Sequence, residues 1–328
     1  MATSTSLCMN RRLALIQAAL SLVALAAVIW WALHQDAPKF PDSAGAFALL
    51  GLAVVIYGAA TAVRAERWHH ILRLADVKAP RKDCYGLTTV GYMGNNVLPA
   101  RAGEGLRVVL MSQRTGAGKR TITGSIVAER ALDVIALGVI LAGVITITIR
   151  DRDLLPTDHP LLIGSIVVAV LMVAIAGMEF MRRRGAMIRV REFISPLIHA
   201  PRALIRKEGL WLLGVTFILW ALEGAVYLAV AESVNLNISI SGALYLVALT
   251  NFVAALPAAP GSVGTFDAAV AFGARALGGS GSVVVSYLLL LRFILYVPIT
   301  LVGLVVLVTR YGGWARLRSA ARLAPSRA

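Results

Sequence analysis

Four apolar runs, 13–33, 43–63, 161–181 and 209–231, each hold close to the ~20 residues that a helix needs to cross a bilayer. Two longer runs, 121–149 and 281–309, do so with charged residues inside them. A chain organised around six such runs is constrained to α-helix, because lipid offers no partner for backbone polar groups and each span must satisfy its own. The rest of the composition agrees. Only 15% of the 328 residues are charged, against about a quarter in a soluble domain, and the mean hydropathy is +0.77. Most cytosolic enzymes are thereby excluded. The first run follows Arg11 and Arg12 as a signal peptide would, but it exceeds the ~7–15 residues of a cleavable apolar core and is expected to stay in the protein.

The net charge of +15 would suggest nucleic acid in a polar protein, so its placement decides the reading. With the N-terminus inside, 24 of the 32 Lys and Arg fall in cytoplasmic segments, among them all six between Arg64 and Lys82. The opposite loops hold three, with Asp36, Asp42, Asp151, Asp153, Asp158 and Glu232 beside them. This is the positive-inside pattern, with both termini cytoplasmic. It makes the excess a topological signal, and no nucleic-acid partner is expected. Anionic lipid head groups are the expected partners of the basic loops, above all 182–207, where Phe193, Leu197, Ile198 and Leu204 interleave with Arg189, Arg191, Arg202 and Arg206. Trp68, His69 and His70 beside Arg67 read as an interfacial belt at a span end. Cys8 and Cys84 lie on the reducing side, and no metal-ligand spacing, phosphate loop or nucleophile elbow is present. No cofactor is expected.

Two stretches are too interrupted to span. Residues 83–112 contain NNVLPARAGEG at 95–105 and are flanked on both sides by cytoplasmic basic residues; residues 239–279 contain LPAAPGSVGTFD at 256–267. Each is expected to enter and leave on one side as a re-entrant hairpin. Leu98-Pro99-Ala100 with Gly103 matches Leu256-Pro257-Ala258 with Gly261, each preceded by Asn95 and Asn96 or Asn251 and followed by Glu104 or Asp267. The offset of 158 residues between the hairpins is close to the 160 between the charged runs that follow them. The expectation is a single membrane domain of six spans and two hairpins, duplicated as 13–149 and 161–309 with inverted topology and followed by a basic tail, 310–328. A break at such depth is tolerated only beside protein or a watery cavity. Pro99, Pro257 and Pro260 remove donors there, while Gly103, Gly261 and Gly264 permit unusual backbone and close approach.

Nine of the charged residues at membrane depth are the functional candidates: Arg101, Glu104, Arg107, Glu129, Arg130, Asp133, Glu223, Asp267 and Arg292. Facing hydrocarbon, each would cost about 2.5–3.5 kcal/mol, so they are expected to face the bundle interior or a polar cavity. Arginine donates bidentately to phosphate and stays charged in low dielectric. Arg101, Arg107 and Arg292 are therefore the candidates for a lipid phosphate. Glu104, Glu129, Asp133, Glu223 and Asp267, with Arg130, would balance charge, meet an amine or carry a coupling proton; a structural ion pair is the competing role, above all for Arg130 with Asp133 and for Glu223.

Taken together, NNVLPARAGEGLRVVL at 95–110, ERALD at 129–133, LPAAPGSVGTFD at 256–267 and LRFILYVPITLVGLVVL at 291–307 resemble the lysylphosphatidylglycerol synthase transmembrane family, or flippase-like domain proteins, over about 13–309. The resemblance implies an integral inner-membrane protein related to the flippase half of the aminoacyl-phosphatidylglycerol synthases. The 18 residues after Arg310 are too few for the aminoacyl-transferase domain of those proteins, so lysyl transfer is not expected. The resemblance carries over to Pro99, Arg101, Gly103, Glu104, Arg107, Glu129, Arg130, Asp133, Pro257, Pro260, Gly261, Gly264 and Arg292; at Asp267 the family more often has Glu.

The expected function is translocation of a phosphate-bearing phospholipid or polyprenyl-linked lipid by alternating access around a cavity between the hairpins. Two other readings stand beside it. One is an intramembrane lipid-modifying enzyme using Glu104 or Glu129 as acid or base. The other is an accessory subunit that binds a lipid-linked sugar for a glycosyltransferase.

Overall fold

The computed structural model describes residues 23, 25–35, 37, 38, 40–98, 102–150, 207–255 and 260–313. Most of the 13–33 run, the whole 161–181 run, the basic segment 182–206 and the tail beyond 313 lie outside the described residues, as do Pro99, Arg101 and Pro257. Every element among those described is helical. A short helical stretch at 25–33 precedes α1 (Ala44–Leu74), α2 (Arg81–Val97), α3 (Ala102–Thr115) and α4 (Lys119–Arg150). After the gap come α5 (Lys207–Ser233), α6 (Ile240–Ala255), a 3-10 turn (Pro260–Ser262), α7 (Thr265–Ala276) and α8 (Gly281–Tyr311).

The order long, short, short, long thus occurs twice, with 31, 17, 14 and 32 residues and then 27, 16, 12 and 31. α1, α5 and α8 are long and apolar enough to cross a membrane. At 1.5 Å per residue α1 extends about 46 Å, well beyond a hydrocarbon core of about 30 Å. By the same measure α2 and α3 reach about 25 and 21 Å and cannot cross. The chain breaks where its residues say it must. Leu98 leaves the helix with φ −98° and ψ 148°, the extended backbone that the following Pro99 favours. Gly261, at φ 63°, forms the turn before α7.

Packing between the two sets of four is reciprocal: α2 lies on α8, α6 lies on α4, and α1 crosses α5. Gly303 lets α8 approach α2 closely, since a Cβ there would come within 2.6 Å of Met93 Cβ and strike the Thr89 carbonyl. Within the first hairpin, Gly103 sits directly against Asn95 and the Gly91 carbonyl. The main core draws on α1 and α4 to α8, with Tyr227, Leu246, Tyr287 and Leu291 fully enclosed. A second core joins the end of α1 to α2, α3 and α8 through Trp68, Leu72, Leu87, Met111 and Leu307. Outside these cores, Val55, Val139, Ile218, Leu301, Val305 and Val308 are exposed, as a lipid-facing surface requires.

Two expectations are corrected. The 43–63 run does not end before Arg64; α1 continues as helix to Leu74. Trp68, expected in an exposed belt, is fully buried within the protein, and Arg64 and Arg67 are buried with it on α1 rather than lying in a loop. The physical reason is that both arginines have carboxylate partners inside the bundle, which removes the cost that hydropathy assigns to them.

Candidate functional site

Three clusters of paired charges occupy the bundle interior. The first joins α1, α3, α4 and α5. Arg67, with no exposed surface, donates through Nη1 to Asp133 Oδ1 at 2.7 Å and Thr216 Oγ1 at 2.9 Å, and through Nη2 to Glu129 Oε1 at 3.4 Å. Arg107 Nη2 donates to the other Glu129 oxygen at 2.8 Å, with its guanidinium 4.0 Å above the Trp68 ring. Trp68 is itself held by a 3.0 Å hydrogen bond from Nε1 to Ser125 Oγ. Arg130 bridges Asp133 at 3.1 Å and Glu104 at 3.0 Å. Three arginines face three carboxylates, so the cluster is formally neutral. Helical spacing accounts for part of it: Glu129 and Asp133, four apart, share a face, and Arg130 reaches Asp133 at i+3.

The second cluster is a buried pair, Arg64 with Glu223, with Tyr92 and Trp220 rings 5.5 and 5.4 Å from the guanidinium. Desolvated rings there supply a cation–π contribution.

The third cluster lies at the second break. Arg292 grips Asp267 with both ends of its fork, Nε to Oδ1 at 2.7 Å and Nη2 to Oδ2 at 2.9 Å. Both Nη atoms also lie 3.4 Å from the Gly261 carbonyl, and the Tyr296 ring lies 4.7 Å from the guanidinium. Asp267 Oδ2 accepts from the Gly264 amide at 2.8 Å, tying the acid to the turn that precedes its helix.

The first and third clusters share a register. Glu104 is the third residue of α3 and Asp267 the third of α7; Arg130 is the twelfth of α4 and Arg292 the twelfth of α8. In both halves the acid at the start of the second hairpin helix pairs with the arginine at one position of the next long helix. These are also the most open charges of the set: the side chains of Arg130, Glu104 and Arg292 are 37%, 28% and 22% exposed, whereas Arg107 and Glu129 are 3% and 2%.

The two breaks touch. A Cβ on Gly261 would lie 3.3 Å from the Asn96 carbonyl, and Asn96 Nδ2 donates to Thr300 Oγ1 of α8 at 2.8 Å. Asn95 Oδ1 is buried with no hydrogen-bond partner among the described residues, pressed against Gly103. Asn251, by contrast, donates back to the Val247 carbonyl of its own helix at 2.9 Å. Pro260 opens the 3-10 turn. Among the phosphate candidates, Arg107 and Arg292 lie in different clusters, and Arg101 and Pro99 are outside the described residues. Among the described residues no group of three or more His, Cys, Asp or Glu gathers as metal ligands would.

Sequence reasoning missed Arg64, Arg67 and Thr216 and the aromatic residues that flank the arginines. One signal existed: Glu129, Asp133 and Glu223 had, between them, one nearby arginine in sequence, and buried carboxylates require partners.

Comparison with curated proteins finds no match. A family model described as the lysylphosphatidylglycerol synthase TM region matches residues 15–303, nearly the whole chain and all three charged clusters. The chain belongs to the lysylphosphatidylglycerol synthase TM region family, which places it in a membrane with a lipid-related role.

Proposed function

We propose that the chain moves a phosphate-bearing lipid across the plasma membrane, with its head group passing the two helix breaks and its tails remaining in the bilayer. The observation that carries this reading is the matched register of Glu104 with Arg130 and Asp267 with Arg292. Each arginine is paired yet partly open, and each pair stands at the break of its hairpin. A phosphate can take the place of a carboxylate on a guanidinium because both accept its forked donors in the same plane. Head-group binding then exchanges one ion pair for another instead of stripping a bare charge.

The twice-repeated helix order, the reciprocal packing and the contact between breaks support a duplicated unit; the reading takes its inverted topology, six spans, two re-entrant hairpins and cytoplasmic termini from the hydropathy and the positive-inside pattern of the sequence. In this reading one half rocks against the other and exposes the pairs to each side in turn. In this reading the chain acts as a transporter.

The test is reconstitution in liposomes with a lipid whose head group is reported separately from each leaflet. Transfer should fall at least tenfold in Arg130→Ala and in Arg292→Ala at equal incorporation. Transfer that persists undiminished in both variants overturns the assignment.

A further inference from the structure

Away from the charged clusters, a groove of about 590 Å³ runs between α1, α2 and α8. Its walls are apolar, formed by Val54, Ile299, Val302 and Val306, and it reaches Tyr57, which neighbours Arg64. Gly58 forms part of the α1 wall, and a Cβ built there meets nothing within 4 Å. One end is basic: Arg81, Lys82 and Arg310 line it. Arg81 is engaged by Glu66 at 3.0 Å, which also accepts from Tyr85 at 3.4 Å. Arg310 donates to the Lys82 carbonyl at 3.1 Å and stands 3.9 Å from Asp83, a buried carboxylate already held by Tyr311 and Arg114. Among the described residues no carboxylate lies within ion-pair distance of Lys82, which is exposed. Three cations therefore face two acids, and positive charge is left at the mouth.

We infer that this groove holds one anionic glycerophospholipid, its acyl chain along the α1 and α8 walls and its phosphate at Lys82 with Arg81 and Arg310. Three features select that occupant. The volume suits a lipid chain and falls within the ~300–1,000 Å³ usual for bound small molecules. The α8 wall continues onto the exposed apolar residues Leu301, Val305 and Val308, so a chain can slide in from the bilayer without leaving hydrocarbon. Arg81 and Lys82 open α2 and Arg310 lies in the last turn of α8, where the positive-inside pattern places the cytoplasmic leaflet and its anionic lipids. A free phosphate would use only the mouth, leaving the apolar length without a role.

The inference rests on the membrane orientation proposed above and not on lipid movement. If transfer is absent while the groove still binds lipid, the transport reading alone fails. If transfer proceeds while the groove binds none, the groove assignment alone fails.

The experiment is native mass spectrometry of the full chain from zwitterionic nanodiscs, titrated with phosphatidylglycerol, phosphatidylcholine or inorganic phosphate. An Arg292→Ala chain, whose break is altered while its groove is intact, should retain one phosphatidylglycerol, with phosphatidylcholine at least tenfold weaker. Arg81→Ala/Lys82→Ala should weaken phosphatidylglycerol at least tenfold. Gly58→Leu, which fills open space in the groove, should do the same, while Gly58→Ala should stay near wild type. Unchanged phosphatidylglycerol retention in both the double variant and Gly58→Leu overturns the assignment. So does equal retention of the two lipids, or displacement of phosphatidylglycerol by inorganic phosphate at comparable concentration.

Discussion

Arg64 of α1 and Glu223 of α5 form a buried ion pair across 159 residues of sequence. The interval is within one residue of the 158 that separate Leu98 from Leu256. On the duplicated reading, the two residues stand at corresponding places in the two halves, and opposite charges meet where α1 crosses α5. Removing one partner leaves an uncompensated charge in low dielectric, so Arg64→Met and Glu223→Leu should each destabilise by about 3–5 kcal/mol. The double variant should lose much less than their sum. Unfolding in detergent, followed through a double-mutant cycle, measures the coupling, and strict additivity would contradict it.

Arg67 and Arg73 lie on different faces of α1 and should behave oppositely. Arg67 is wholly buried and divides its fork among Asp133, Glu129 and Thr216, whereas Arg73 is exposed. Lysine keeps the charge but not the planar fork. Arg67→Lys should therefore cost at least about 2 kcal/mol, since buried acceptors lose their donors. Arg73→Ala should stay within about 0.5 kcal/mol of the parent. Thermal unfolding of the two purified variants decides the contrast.

Close packing of α8 on α2 depends on one missing side chain. Gly303→Val places atoms where the Thr89 carbonyl and Met93 already lie and should destabilise by about 1–3 kcal/mol or more. Gly138 in α4 has open space around its missing Cβ, so Gly138→Ala should be neutral or stabilise by up to about 1 kcal/mol. Equal effects in the same thermal assay would show that the close approach is not a constraint.

Asp267 serves both its turn and Arg292. In Asp267→Asn the side chain can still accept from the Gly264 amide, but the charge opposing Arg292 is gone. Head-group phosphate should then bind Arg292 without displacing an anion. Retention of a phosphate-bearing lipid should rise in this variant and fall in Arg292→Ala, as measured by lipid counting on the purified proteins.

The legible part of the fold is the part governed by hydropathy and by proline and glycine. The apolar runs located α1, α5 and α8, and Pro99 with Leu98, and Gly261 with Gly264, located both breaks. The end of α1 was not legible, because a residue-by-residue scale charges Arg64 and Arg67 for burial without crediting Glu223, Glu129 and Asp133, which lie 62 to 159 positions away. The site residues could be picked out as charges at depth, but not their partners. Arg107 and Arg292 look alike in sequence; packing makes the first a buried clamp on Glu129 above Trp68 and leaves the second open beside Tyr296.

In the proposed function a lipid phosphate crosses the membrane through this protein. Liposomes carrying a head-group-labelled anionic phospholipid, challenged with an impermeant reductant, report it directly. Inner-leaflet label, protected in protein-free liposomes, should become reducible when the wild-type chain is incorporated and be protected again in Arg130→Ala/Arg292→Ala. Inner-leaflet label that stays protected with the folded wild-type chain present would contradict it.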